Sequence, residues 1–308
     1  MPSNAAPPSA PPFRSGFVNI IGRPNAGKST LMNALVGERM SIVTHKPQTT
    51  RHRILGILSG EDFQLVFSDT PGYVRQPAYK MHRAMNRFVE GTLEDADLLL
   101  LVFDLTEELE EDNPLPGMLQ KATAPVLLVL NKKDLVHEQR IQDALNWWKK
   151  RLPLADYIAI SALKGENTAE LLQKILSFLP EGPAYFPEDQ LTDRPERFFV
   201  SEIIREQIFL LYADEIPYSC EVGVESYKES HTKTGEPIVR IQAIIYVMRE
   251  TQKAILLGKQ GSAIKKLGTA ARKEIERFIE NRVHLELTVK VRENWRDDER
   301  ALQRFGYE

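Results

Sequence analysis

Residues 16–36 read GFVNIIGRPNAGKSTLMNALV, and this stretch decides the fold. The apolar run Gly16 to Ile21 predicts a strand, and Leu31 to Val36 predicts a helix. Between them stand Gly22-Arg23-Pro24-Asn25-Ala26-Gly27-Lys28-Ser29-Thr30, with the spacing of a phosphate-binding loop in its strand-loop-helix context. Gly22 and Gly27 let the backbone curl so that N–H groups point inward, and the helix N-terminus adds partial positive charge. In this arrangement Lys28 reaches terminal phosphates and Ser29 offers its hydroxyl to Mg²⁺.

Three further strings narrow the ligand. Asp69-Thr70-Pro71-Gly72 closes the apolar run Phe63 to Phe67, and Tyr73 follows it. A carboxylate at a strand's end can hold a metal-bound water, and a glycine three residues on exposes an N–H to a γ-phosphate. Asn131-Lys132-Lys133-Asp134 closes Val126 to Leu130. Asp134 can accept two hydrogen bonds from guanine, whereas adenine would leave the carboxylate unpaired. Lys132 can cover the base or brace the loop. Ser161-Ala162-Leu163 follows Tyr157 to Ile160 and brings a backbone N–H for the guanine carbonyl. Each string is weak alone. Four in order, each at the C-terminal end of an apolar run, mark a guanine-nucleotide site on the ligand-binding edge of an open α/β sheet.

At 308 residues the chain accommodates two domains. Its composition, 42% hydrophobic and 27% charged, excludes wholesale disorder. The single cysteine, Cys220, cannot form an internal disulfide; it alternates with Val222 and Val224, as a buried structural thiol would. The six histidines show no metal-ligand spacing. Residues 1–14 lack the basic start and apolar core of a signal peptide and are expected to be a disordered tail. No run is long enough to span a membrane, and a cytoplasmic monomer is expected, at most peripheral on the inner face of the cell membrane.

The first unit, 15–180, alternates buried strands with helices: a doubly wound, mostly parallel sheet. Residues 181–197 hold three prolines and are expected to be a linker. The second unit, 198–308, has another rhythm, of helix, two strands, helix, Gly258-Lys259-Gln260-Gly261, helix and strand. That α+β order resembles the type II KH fold, a single-stranded nucleic-acid module in which GxxG lets the backbone approach a sugar-phosphate chain. Net charge is −3, yet residues 249–292 carry eleven Lys and Arg against five Glu, a segregated basic face. Gly258, Lys259, Gln260, Gly261, Lys265, Lys266, Arg272 and Lys273 are the candidate RNA contacts.

A P-loop GTPase fused to a KH domain resembles the Era family of bacterial ribosome-assembly GTPases. The resemblance is carried by GRPNAGKSTLMNALVG, KPQTTRHRILGI, DTPG, NKKD, ISAL, GKQGSAIKKLG and the terminal WRDDERALQRFGY. It implies a GTPase that binds the 3′ end of small-subunit ribosomal RNA and assists small-subunit assembly, engaging with GTP and releasing after hydrolysis. Thr49 and Thr50 then fall in the first switch, and Thr50 joins Ser29 and Asp69 as the Mg²⁺ set. Lys28, Thr50 and Gly72 are the catalytic candidates. Ras-like enzymes place a glutamine where Tyr73 stands, so slow turnover is expected. Asn25 matches a K⁺-binding position in related GTPases and could equally brace the loop. Arg51 and Arg53 are expected to be solvated switch arginines, and Leu302 and Phe305 suggest that the tail after Trp295 packs. The competing reading is a GTP-gated regulator docking on a protein or membrane surface.

Overall fold

The structure, a computed structural model, describes residues 12–307. The expected tail lies outside the described residues as far as residue 11, and by Arg14 the chain is already in its first strand.

The first unit is built on β1 (Arg14–Gly22), α1 (Lys28–Val36), β2 (Ile54–Ser59), β3 (Phe63–Asp69), α2 (Lys80–Gly91), β4 (Leu98–Asp104), α3 (Pro114–Leu119), β5 (Val126–Asn131), α4 (Glu138–Lys149), β6 (Asp156–Ala159) and α5 (Thr168–Phe178). Six strands lie in the order β2-β3-β1-β4-β5-β6; all neighbours are parallel except β2, which runs antiparallel to β3. Strand periodicity explains the layers. Leu98, Leu100 and Val102 of β4 face Leu31, Leu35, Leu171 and Ile175 of α1 and α5. Leu99, Leu101 and Phe103 face the opposite layer, with Leu115, Ala144 and Trp148 of α3 and α4.

β2 is not legible as a strand from the sequence. Its exposed edge is covered by the segment expected to be a linker. Ile57 N–H donates to Leu191 O at 2.8 Å and Thr192 Oγ1 donates to Leu55 O at 2.7 Å, while on neighbouring β3 Gln64 Oε1 accepts from Tyr185 and Phe186. An edge strand needs such cover, so these residues are docked along the sheet rather than strung between domains.

The second unit comprises α6 (Glu196–Leu211), α7 (Ile216–Ser219), β7 (Glu221–His231), β8 (Pro237–Val247), α8 (Glu250–Leu257), α9 (Ser262–Phe278) and β9 (Val283–Val291), followed by α10 (Glu299–Arg304). β8 is central, antiparallel to β7 and parallel to β9. One sheet face packs against Ile204 and Ile208 of α6 and Leu267, Ala271 and Ile275 of α9. Cys220 is buried, but it precedes β7 instead of alternating within it. A separate cluster joins the two units: Met81, Ala84 and Met85 of α2 pack with Trp295, Ala301, Leu302 and Tyr307.

Candidate nucleotide site and nucleic-acid surface

The phosphate loop sits where β1, between β3 and β4, delivers its C-terminal end to α1. Its glycines are sterically required. A Cβ on Gly22 would lie 2.4 Å from Val102 O, and one on Gly27, at φ +92°, would lie 2.3 Å from Asn131 Nδ2. The Lys28 ammonium folds back over the loop, donating to Gly22 O at 3.1 Å and Arg23 O at 2.8 Å. Burial lowers its pKa to about 8, against the attraction of Asp69 and Glu107. A polyphosphate is the anion that such a buried cation is short of.

Ser29 Oγ donates to Asp69 Oδ2 at 2.6 Å and lies 2.8 Å from Thr50 Oγ1. Asp69 is fully buried, which pushes its carboxyl above the usual range despite Ser29 and Lys28. Its Oδ1 is buried with no hydrogen-bond partner among the described residues. Two hydroxyls and a carboxylate whose second oxygen is orphaned make an all-oxygen donor set that fits Mg²⁺. Thr49 is held elsewhere, on Thr44 Oγ1 and Lys46 O.

Thr70 Oγ1 donates to Ile20 O at 2.8 Å, tying the DTPG turn to β1. Gly72 packs on the loop so closely that a Cβ would fall 2.5 Å from Pro24 N. At the base end, Asn131 Nδ2 donates to Ala26 O at 2.9 Å while its Oδ1 accepts from Lys132 N–H and Ala162 N–H. Lys132, at φ +64°, pairs with Asp104. The Ser161 hydroxyl, then Lys164, hold the Asp134 carboxyl below its ordinary range and so ionised for a pair of donors.

These elements enclose a cavity of about 380 Å³ lined by Gly27, Lys28, Ser29, Thr50, Asp134 and Ser161, with Pro24, Asn25, Thr30, Gly72, Asn131, Lys132 and Leu163 on its wall. Sequence reasoning missed Ile42, Val43, Thr44, His45, Gln48 and Leu135, which also line it. The first five belong to an aperiodic loop, and only their place between α1 and the Thr49-Thr50 pair could have drawn attention to them. Other candidates sit outside the cavity. The Tyr73 side chain turns into a groove with Leu93, Pro114 and Met118. Arg23 pairs outward with Glu107 and Glu110. Ala26, Asp69, Pro71 and Ala162 are buried and do not line the cavity. The Asn25 amide donates to His45 O at 3.2 Å, bracing the phosphate loop against the switch loop.

Of the two arginines after Thr50, Arg51 is not solvated and Arg53 is only partly exposed. Arg51 is 1% exposed and bonds into the second unit, because its guanidinium finds three acceptors there. Arg53 donates to Ser68 Oγ at 2.7 Å and Asp95 Oδ2 at 2.8 Å.

In the second unit the GxxG turn joins α8 to α9. Gly258 and Gly261 both have positive φ, and a Cβ on Gly258 would lie 2.6 Å from Ala263 Cβ. Lys259 and Gln260 project exposed from the turn. Lys265, Lys266 and Lys273 line an open cleft of about 550 Å³ with Gln207, Ser262 and Thr269. Arg272 is set apart, paired with Glu276 at 2.8 Å. Three lysines without an ion-pair partner among the described residues, beside a turn that bares its backbone, can hold a phosphodiester chain.

A family model described as 50S ribosome-binding GTPase matches residues 17–132, and one described as KH domain matches residues 215–296. Among curated relatives, chloroplastic GTPase ERA1 of Zea mays is 47% identical over 302 residues, covering 96% of this chain and 70% of its own. GTPase Era of Syntrophus aciditrophicus is 44% identical over 296 residues, covering 96% and 95%. Among solved structures, a variant of Aquifex aeolicus Era bound to GDP and AlF4⁻ matches with a TM-score of 0.90 at 36% identity, over 96% of this chain and 99% of that one. A structure of Era with MgGDPNP and nucleotides 1506–1542 of 16S ribosomal RNA matches equally well over the same shares.

Proposed function

The chain belongs to the Era family of GTPases, and on that premise we propose that it binds the 3′ end of small-subunit ribosomal RNA through its KH unit and assists small-subunit assembly under nucleotide control. It hydrolyses GTP to GDP and phosphate. One observation carries the RNA reading: the likeness extends over 96% of the chain to an Era structure holding MgGDPNP and 16S nucleotides together.

The chain's own groups suit that chemistry. Lys28 would exchange its carbonyl acceptors for terminal phosphate oxygens and recover the charge that burial suppresses. The Gly72 N–H, seated against Pro24, would meet the γ-phosphate. When bound, Mg²⁺ supplies charge neutralisation across the terminal phosphates, and Ser29, Thr50 and Asp69 would hold it. Asp134 selects guanine.

Nothing on these positions substitutes for a water-orienting glutamine. Tyr73 points away, and Arg23, Arg51 and Arg53 are each committed to carboxylates or carbonyls. Slow intrinsic turnover follows, with acceleration supplied by the ribosomal partner. K⁺ at Asn25 belongs to the same proposal. His45 holds the amide side, leaving the carboxamide oxygen for a cation, and turnover compared in KCl and NaCl tests it. We take the protein to act as a cytoplasmic monomer. No helix of the described residues is long and apolar enough to cross a membrane, so any membrane contact would be peripheral.

The test is anisotropy of a labelled RNA carrying the 3′ end of 16S ribosomal RNA, with GDP and with GMPPNP. Tighter binding with GMPPNP, and its loss in Gly258→Asp, is the expected result. No binding in either state would overturn the RNA assignment.

A further inference from the structure

Arg51 directly follows Thr50, yet all its side-chain hydrogen bonds cross into the second unit. Nη1 donates to Cys220 O at 2.7 Å and Glu221 Oε2 at 3.2 Å, and Nη2 donates to Pro217 O at 3.0 Å. Glu221 Oε2 also accepts the Tyr307 hydroxyl at 2.6 Å. The Tyr307 ring lies 4.5 Å, centroid to centroid, from His52. Arg51, Glu221 and Tyr307 are all at least 97% buried. Trp295 fixes the start of the tail by donating to Ser219 O at 3.0 Å. The rest of the switch loop leans the same way. Val43 N–H donates to Glu206 Oε1 at 3.2 Å, Lys46 Nζ to Phe209 O at 2.6 Å, and Arg39 pairs with Glu206 and Glu274.

From this geometry we infer that Arg51 is a positioning residue: the KH unit and the C-terminal tail hold its guanidinium, and thereby set Thr50 beside Ser29. A buried guanidinium does not slide freely, because a lost carbonyl leaves a buried donor unsatisfied and a lost Glu221 leaves its charge uncompensated. Arg51 is the next residue after Thr50, so holding its guanidinium in the second unit restricts where Thr50 can sit. Sensing of the γ-phosphate by Thr50 is therefore registered to the KH body and to the tail's last described residue. Glu274, one of the acidic partners of Arg39, also lines the lysine cleft, so the same loop touches both ends of the coupling. The inference rests on the reading of Thr50 as a metal and γ-phosphate ligand.

The test uses the full chain with Mg²⁺ and fluorescent GDP and GMPPNP, comparing wild type, Arg51→Lys, Tyr307→Phe and Thr50→Ala. Arg51→Lys loses the fork, and Tyr307→Phe removes one hydroxyl while keeping the ring. The expected result is GDP affinity within about twofold of wild type in both, with GMPPNP affinity lowered about tenfold and about threefold respectively, the scale of one or two lost hydrogen bonds. In nucleotide-free protein, amide exchange over residues 44–50 should quicken in both variants. Should Thr50→Ala lower the GMPPNP preference while both other variants leave it and the exchange unchanged, the inference is overturned. If Thr50→Ala itself leaves the preference unchanged, the ligand reading fails and takes the inference with it. Tyr307→Phe keeps the test decisive where Arg51→Lys does not fold.

Discussion

The base-reading end of the nucleotide cavity and its switch-loop end are built in opposite ways. At the base end, Asn131 ties the phosphate loop to the Ala162 turn through two hydrogen bonds and takes a third from Lys132 N–H, all within the first unit. At the switch end, the loop that carries Thr50 is fastened through Arg39, Val43, Lys46 and Arg51 to α6 and the entry of β7 in the other unit. The first end is rigid by local design. The second end takes its position from the other unit, which is what a site needs if it is to report nucleotide state to RNA.

The contrast can be broken most forcefully at the joint itself. Trp295 is fully buried between α2 and the second unit. Trp295→Ala should destabilise the protein by about 3–5 kcal/mol in urea unfolding, as for other buried tryptophans. A loss near zero would mean that the tail does not hold the joint.

At the base end, Asp134→Ala should weaken GDP and GMPPNP alike, by about 100-fold, since it removes a charged acceptor of two hydrogen bonds. Nucleotide titration checks this, and a change in the ratio of the two affinities would erase the proposed division of labour. Arg51→Lys should do the reverse, moving the ratio and sparing GDP.

Much of the base end and of the phosphate loop was legible because the strings are local: NKKD, GRPNAGKST and DTPG each specify a turn at a strand's end. The GxxG turn was legible for the same reason. The switch end was not. Arg51 reads as a solvated charge because nothing nearby in sequence hints at Pro217, Cys220 or Glu221, which lie some 170 positions away. β2 was missed because ILGILS follows an aperiodic loop, and its partner and edge cover come from β3 and residues 191–193. Cys220 was rightly expected to be buried, from its apolar neighbours. Its place before β7, where its carbonyl serves Arg51, depends on tertiary contacts.

The smallest effect is a pH dependence at that same position. Burial pushes the Cys220 thiol up to about 12. The unfolded chain releases this proton near an ordinary thiol pKa and the folded chain does not, so folding binds a proton in that window. This stability is present at neutral pH and is lost as pH rises from about 9 toward 12. Cys220→Ala should flatten the alkaline fall in Tm between pH 9 and 10.5, where the chain is still folded. An unchanged slope would show that the thiol is less buried than described.

The central claim is that the two ends of the cavity divide recognition from coupling. Linkage tests it most directly: GDP and GMPPNP affinities measured with and without saturating 16S 3′-end RNA, in wild type and Arg51→Lys. The account predicts that RNA favours GMPPNP over GDP in wild type by the same factor by which GMPPNP tightens RNA, with that factor falling toward one in Arg51→Lys. An undiminished factor in Arg51→Lys would contradict it.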